Sequence, residues 1–271
     1  MVSTGTHRQK LRPIDVCRAW KMKKTMMFLG LVFAVAGIAN SQSQMSIKLG
    51  GAFPMGDFGE ARVSGGDIDR WVLMDNSDKG GAGLGFSLGL ENRWAVSSVD
   101  GLGVTLSLDA IYNGLNDDLN DFFEDFQDEL DDEFSESSLA TPKFINVPLM
   151  LGVNYSYGLT DNLSAFAGAG AGANLRLITP LTMEGSGRSY EYKESVKYDA
   201  AVSFAFRVGA GITIKNKYSL SLDYYALGSS KVKGELEEYE YEGGYTDRDT
   251  ENIKAGKIAP TLLLLRLGIM F

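Results

Sequence analysis

The amino-acid sequence predicts an all-β fold, an eight-stranded antiparallel up-and-down transmembrane β-barrel with four long extracellular loops. Three observations predict it: segments in which apolar and polar residues alternate, connections that are short and long in turn, and an apolar leader before the first segment. The pattern is clearest at 259–271, where Arg266 and Gly268 share a face. The opposite face is wholly apolar, with Leu263, Leu265, Leu267, Ile269 and Phe271. Such a strand is typical of a barrel with lipid outside and a packed polar lumen inside.

The leader has the order of a secretory signal peptide. A basic cluster at 21–24 precedes an apolar run at 26–38, and small and polar residues follow. This run is short for a membrane-spanning helix, which needs about 20 residues. We therefore expect residues 1–41 to be an upstream extension plus a cleaved signal peptide, with translation starting at Met22. The barrel domain would then occupy the rest of the chain, 42–271.

Cleavage of this leader would leave an acidic chain without His or Cys. His7 and Cys17 are the only residues of their types. The remainder keeps 19 of the 26 Lys and Arg and 34 of the 35 Asp and Glu, a net charge of −15. This balance argues against a nucleic-acid partner. Since no imidazole base or thiol remains beside a nucleophile, we expect no enzymatic activity, no cofactor and no metal.

Eight segments alternate, and each keeps its large apolar residues on one parity. The other parity carries mostly Gly, Ser and charged residues. A tilted strand crosses a bilayer in about 9 to 11 residues, and seven of the eight segments are at least this long. They are 46–53, 81–94, 103–112, 144–157, 164–177, 199–214, 218–227 and 259–271.

The connections between these segments differ in length in a regular way. Short polar ones and long polar ones alternate, as the turns and loops of outer-membrane barrels do. The short ones are 95–102, 158–163 and 215–217, and the long ones are 54–79, 113–143, 178–198 and 228–258. An even strand count places both termini at the short-turn, periplasmic rim.

A soluble lipocalin-like barrel is the structural alternative, with eight strands and the two faces reversed. The many Gly on the polar parity would then lie in strand interiors with no packing reason, which weakens a strand. Small residues facing a narrow, filled lumen explain them better. Together with the leader and the terminal Phe271, this favours the membrane barrel.

Four stretches carry a resemblance to a known family. They are K-L-G-G-A-F-P-M-G-D-F-G at 48–59, N-V-P-L-M-L-G-V-N-Y at 146–155, A-F-A-G-A-G-A-G-A-N-L at 165–175 and L-R-L-G-I-M-F at 265–271. They resemble the outer-membrane β-barrel domain family of Bacteroidetes-type bacteria, which includes PorT-like and small OmpX-like barrels. The resemblance implies an outer-membrane location, and some PorT-like members are implied in protein secretion. No catalytic or binding residue carries over.

Charged residues on the lumen parity form the first candidate site. A buried charge is tolerated only when it is paired and hydrogen-bonded, so similar depth on neighbouring strands predicts an Arg207–Asp223–Arg266 cluster. An eight-stranded barrel is just wide enough for side chains to fill, which favours a plug over a gated ion or proton path. The predicted network is Lys48, Glu91, Arg93, Asp109, Arg176, Arg207, Asp223 and Arg266.

The second candidate lies at 115–136, where eleven residues are acidic. Apolar residues recur there at spacings of three and four, which predicts an amphipathic helix in the second long loop. Three interpretations stay open: packing on neighbouring loops, a partner-binding helix, and a diffuse divalent-cation site. The spacing does not match an EF-hand. The partner-binding face would be Leu119, Phe122, Phe123, Phe126 and Leu130.

These patterns predict a Gram-negative outer-membrane protein that acts through its surface loops in binding, adhesion or an envelope or secretion assembly. A narrow, porin-like passive channel for small solutes is the alternative. The expected partners are outer-membrane lipid, the barrel-assembly machinery and another envelope protein bound by the loops. Phe271 would be the residue that the assembly machinery recognises.

Overall fold

The structure is a computed structural model that describes residues 43–60, 79–188 and 190–271. The predicted signal peptide, its start at Met22 and its cleavage lie outside the described residues. Within the described residues the elements are, in chain order, β1 Ser43–Pro54, β2 Ala82–Ala95, β3 Leu102–Leu115, α1 Asp117–Glu133, β4 Glu136–Ala140, β5 Phe144–Thr160, β6 Leu163–Ile178, β7 Leu181–Ser186, β8 Tyr190–Tyr198, β9 Ala201–Ile214, β10 Tyr218–Ala226, β11 Ser230–Glu242, β12 Tyr245–Ile258 and β13 Thr261–Met270.

Eight of these strands close into an antiparallel barrel in the order β1-β2-β3-β5-β6-β9-β10-β13, and β13 pairs back with β1. The closing register runs from Ser46 opposite Met270 to Pro54 opposite Leu262. Each strand lies beside the next barrel strand along the chain, so the predicted up-and-down barrel is confirmed. The eight alternating segments correspond to these eight strands.

The direction of the two faces is also as predicted. On β13, Leu267 is 67% exposed while Arg266 is 1% exposed. The same contrast holds on other strands, with Leu49 and Phe204 exposed and Lys48 and Arg207 buried. An apolar outer surface around a charged interior suits a bilayer. The lipocalin-like alternative, which needs the reverse arrangement, is therefore excluded.

The long connections are not all loops, which corrects the prediction. Five further strands form a second sheet in the order β12-β11-β8-β7-β4, which we call the connection sheet. Its strands come from three of the four long connections, and their pairing satisfies backbone groups that separate loops would leave to water. The β11–β12 hairpin turns at Gly243 and Gly244, whose φ values of +56 and +94 suit a two-residue turn.

The predicted amphipathic helix is present as α1. Asn116 caps its first turn by accepting a hydrogen bond from the backbone N–H of Leu119 at 3.1 Å. The buried side of α1 belongs to one apolar core with Phe58, which lies in a 3₁₀ turn at Gly56–Phe58 after β1. Among the described residues, no helix is long and apolar enough to cross a membrane.

Candidate functional site

The first ionic cluster of the lumen is centred on Arg266. Its guanidinium donates to Asp109 on β3 over 2.6 Å and to Asp223 on β10 over 2.7 Å. The Tyr225 hydroxyl donates to the other oxygen of Asp109 over 2.8 Å, and Ser221 donates to Asp223. Each charge is thus removed from water and held by an opposite charge, the condition under which burial is tolerated.

The second cluster joins two cations to Glu91 on β2. Lys48 and Arg207 each lie 2.8 Å from a different oxygen of this carboxylate. Arg207 is on β9, four strands from β2 in either direction around the barrel, so its guanidinium crosses the lumen. Arg207 also approaches the Tyr225 hydroxyl at 3.4 Å, and this contact connects the two clusters.

The two clusters are balanced, with three basic and three acidic side chains. Inward glycines make room for them: a Cβ at Gly89 would lie 2.1 Å from an oxygen of Asp109, and one at Gly209 equally close to an oxygen of Asp223. We call the balanced set the ion layer, and its members are Lys48, Glu91, Asp109, Arg207, Asp223 and Arg266.

Strand register changes the partner that the sequence predicts for Arg207. Asp223 and Arg266 pair as expected, but Arg207 binds Glu91 across the lumen. The antiparallel register places Tyr225, not Asp223, opposite Arg207. Depth counted from strand ends does not reveal this offset of two residues, and it gives no information on pairing across the lumen.

The remaining two residues of the predicted network lie outside the ion layer, one at each rim. Arg93, near the short turns, donates to the Gly101 carbonyl over 2.7 Å and to a serine hydroxyl of β5. Arg176, at the opposite rim, donates to the carbonyls of Ile258 over 2.9 Å and Ser230 over 3.1 Å. Since Ser230 begins β11 and Ile258 ends β12, Arg176 ties the base of this hairpin to the barrel.

An apolar layer closes the lumen between the ion layer and the long connections. Phe58 covers it, with its ring centroid 5.3 Å from that of Phe144. The sequence predicts a polar lumen throughout, although Leu262 and Leu264 share the parity of Arg266 and are the visible signal of this layer. The layer comprises Ala52, Ile111, Phe144, Leu262 and Leu264, each at most 1% exposed.

The short-turn mouth is open as far as the ion layer. A recess of about 120 Å³ lies there, and Ser46, Lys48, Glu91 and Ser219 are among its lining residues. The side chains of Lys48 and Glu91 remain 6% and 12% exposed, whereas that of Arg266 is fully covered. In the described part of the chain, water therefore reaches the ion layer from the short-turn side.

The apolar row of α1 faces the protein's own interior, which corrects its interpretation as a face open to a partner. Leu119, Phe123, Phe126 and Leu130 are buried, and Phe122 is partly buried against the same core. The sequence pattern does not predict the connection sheet, so it also does not predict the surface that covers this row. Packing on neighbouring connections, one of the three open interpretations, is what the structure shows.

The connection sheet presents a polar face with a groove of about 440 Å³. Ser138, Glu184, Lys193 and Tyr239 are among the residues that line it. Beside it, the Tyr192 hydroxyl donates to Glu194 over 2.6 Å. Partial burial, and next this hydrogen bond, raise the pKa of Tyr192 well above its ordinary range, so the hydroxyl stays a donor. Among the described residues, no group of three or more His, Cys, Asp or Glu is placed to hold a metal ion.

The chain is similar in fold to solved outer-membrane proteins. Ail, the attachment invasion locus protein of Yersinia pestis, solved with the heparin analogue sucrose octasulfate, is 12% identical. That match covers 85% of this chain and 99% of Ail, with a TM-score of 0.36. The outer membrane protein OprG of Pseudomonas aeruginosa is 12% identical over 85% of this chain and 97% of its own, with a TM-score of 0.37. A major outer membrane protein of Thermus thermophilus is 12% identical over 85% of this chain and 100% of its own, with a TM-score of 0.42.

No protein-family model and no curated protein matches the chain. Identities of this size give no information on a shared ligand or partner. The narrower PorT-like or OmpX-like membership that the four sequence stretches predict stays a prediction.

Proposed function

We propose that the protein is an outer-membrane barrel that does not conduct and that acts by binding a partner at the cell surface through its connection sheet. In this arrangement both termini lie in the periplasm, and the barrel-assembly machinery inserts the chain. The observation that carries the proposal is the filled lumen. Binding, adhesion or a role in an envelope assembly then belongs to the long-connection side.

The filled lumen speaks against the passive channel. An ion that enters at the short-turn mouth meets the ion layer, whose charges are already paired. Beyond it lies the apolar layer, where Leu262, Leu264 and Phe144 are fully buried. An ion would have to break buried ion pairs and then pass fully buried apolar side chains, and each step carries a large desolvation cost.

The connection sheet supplies a surface for binding. Its polar face carries the groove described above, and tyrosines such as Tyr239 and Tyr241 point to the same face by strand parity. Tyrosine combines a large apolar area with a polar tip and is enriched in binding surfaces. The proposal assigns no catalytic role to any residue.

Planar-bilayer conductance tests the proposal, with a general porin as a positive control for the bilayer. We expect no steps above background from the full-length protein, and insertion is verified by the heat-dependent electrophoretic mobility of folded barrels. As a matched pair, Arg207→Ala removes the residue that crosses the lumen and Arg248→Ala removes an exposed arginine of β12. Steady conductance of the unmodified protein would refute the filled-lumen proposal and support the narrow channel.

A further inference from the structure

We propose that the open edge of β12 binds an extended peptide segment that carries a Lys or Arg at every second position. The segment would add a strand to the connection sheet beside β12. This inference rests on the proposed binding function and names the chemistry of the partner.

The edge is long and regular. β12 is the terminal strand of the connection sheet, and among the described residues no strand pairs with its outer side. Its register with β11 is unbroken from Tyr245, opposite Glu242, to Lys254, opposite Lys233. This stretch contains no proline and no bulge, two of the devices by which proteins protect exposed sheet edges.

The hairpin turn identifies the backbone groups that face outward. In a two-residue hairpin the pair that flanks the turn, here Glu242 and Tyr245, is hydrogen-bonded, and bonded and non-bonded pairs alternate from there. The N–H and C=O groups that point away from β11 are therefore those of Thr246, Arg248, Thr250 and Asn252.

Two hydrogen bonds support this assignment and show how the edge is covered at rest. The N–H of Arg248 donates to the carboxylate of Asp247 over 2.8 Å, and the N–H of Thr250 donates to that of Asp249 over 2.7 Å. Neither N–H takes part in the ladder with β11. The carboxylates occupy the donors that an incoming strand would use, and a cation that binds them would free those donors.

Carboxylates dominate one face of this edge. Asp247 lies opposite Glu240 on β11, and Asp249 lies opposite Glu238. Like charges directly opposite each other destabilise a strand pair. Among the described side chains, none of these four forms an ion pair. A basic side chain on an added strand would lie beside Asp247 and Asp249 and turn this repulsion into attraction.

The charges also specify the occupant. The side chains of an added strand alternate between the two faces, so only every second residue meets the acidic face. The other face presents Thr246, Arg248 and Thr250, which do not favour a cation. A second copy of this chain, paired antiparallel through β12, would place acidic residues against acidic residues.

Peptide binding to the full-length protein in detergent micelles tests the inference by fluorescence anisotropy. The probe has the sequence Lys-Thr-Lys-Thr-Lys-Thr-Lys, and the control has the same composition as Lys-Lys-Lys-Lys-Thr-Thr-Thr. We expect the alternating probe to bind at least tenfold more tightly. Equal affinity would mean that only net charge is read, which would overturn the inference.

Backbone pairing is tested on both molecules. Thr250→Pro removes an outward N–H, which an edge strand tolerates, and Thr250→Val keeps it. We expect the Pro variant to lose at least tenfold in affinity and the Val variant to bind normally. N-methylation of the probe on one parity should abolish binding, while methylation on the other should not. This second test leaves the protein unchanged, and equal effects of both methylations would overturn the inference.

The acidic residues of β12 and dimerisation through its edge give two further tests. Asp247→Asn together with Asp249→Asn should weaken the alternating probe at least tenfold and reduce the salt dependence of binding. If the free protein dimerises and Thr250→Pro abolishes the dimer, the edge binds a second copy of the chain and the inference is overturned. Conductance distinguishes the two proposals. A barrel that neither conducts nor binds the probe refutes only peptide binding at the β12 edge, whereas a barrel that conducts refutes the proposed function.

Discussion

The barrel and the connection sheet are both antiparallel, but they treat their charges in opposite ways. In the barrel every carboxylate of the ion layer is paired with a cation, and those of Asp109 and Asp223 are almost fully shielded from water. In the β11–β12 hairpin, carboxylates lie opposite carboxylates, in contact with water. The first arrangement satisfies each buried charge within the molecule itself. The second leaves repulsion between facing carboxylates, which a bound cation would relieve. This suits a binding surface and not a structural core.

The largest difference should come from removing one charge in each region. Arg266→Ala leaves Asp109 and Asp223 buried without their cation, and breaking a buried pair in this way costs about 3–5 kcal/mol. Arg248→Ala, in the exposed edge strand, should change the free energy of unfolding by less than about 0.5 kcal/mol. Urea unfolding in micelles, followed by tryptophan fluorescence, measures both. Equal effects would mean that the ion layer does not stabilise the barrel.

The junction between the barrel and the connection sheet should show the next largest change in stability. Arg176→Met keeps an unbranched, shorter apolar side chain and leaves the carbonyls of Ser230 and Ile258 without their charged donor. Hydrogen bonds of this kind contribute about 1.5–3 kcal/mol. We expect faster amide hydrogen exchange in β11 and β12 and unchanged exchange in the barrel strands β5 and β6. Faster exchange throughout the barrel would show that Arg176 stabilises the whole fold instead.

Glycine substitution tests how tightly the barrel side is filled. A Cβ at Gly209 would lie 2.1 Å from Asp223 Oδ1 and 3.1 Å from the Leu222 carbonyl, and Arg266 prevents the carboxylate from moving away. Gly209→Ala should therefore cost about 1–3 kcal/mol, as overpacking does. Gly114→Ala is the control on a barrel strand, because no atom lies within 4 Å of its Cβ. A Gly209→Ala variant as stable as this control would show that the lumen has spare room.

Period-two alternation was sufficient to predict the barrel, because one face meets lipid and the other a lumen along every strand. It also predicted the pair of Asp223 and Arg266 on adjacent strands. Alternation does not predict the contact of Arg207 with Glu91, because partners across a lumen depend on strand tilt and register, which no single segment encodes.

The connection sheet was missed for a different reason. Its strands carry only a few large apolar residues, such as Met183, Val196 and Leu236, among many Glu, Lys and Tyr, so their apolar face is too sparse to give a clear period-two pattern. The Gly243–Gly244 turn was the available signal, because two glycines between alternating segments are typical of a hairpin. Its physical content is the positive φ that both residues require.

The smallest expected effect is also the most specific to the comparison. Glu238 lies between Asp249 on β12 and Glu194 on β8. Glu238→Lys should stabilise the hairpin by about 0.2–1 kcal/mol, because opposite charges then face each other. Slower amide exchange in β11 and β12 would measure this gain, which should shrink in 1 M salt, where the screening length falls to about 3 Å. Thr246→Lys, opposite the neutral Tyr241, is the control.

The same Glu238→Lys change should weaken binding of the alternating Lys probe, because the acidic face that attracts it loses charge. Stability and binding would then move in opposite directions at one residue. If the facing carboxylates had no role in binding, Glu238→Lys would stabilise the hairpin and leave the affinity for the probe unchanged. That result would remove the electrostatic reason for binding at this edge.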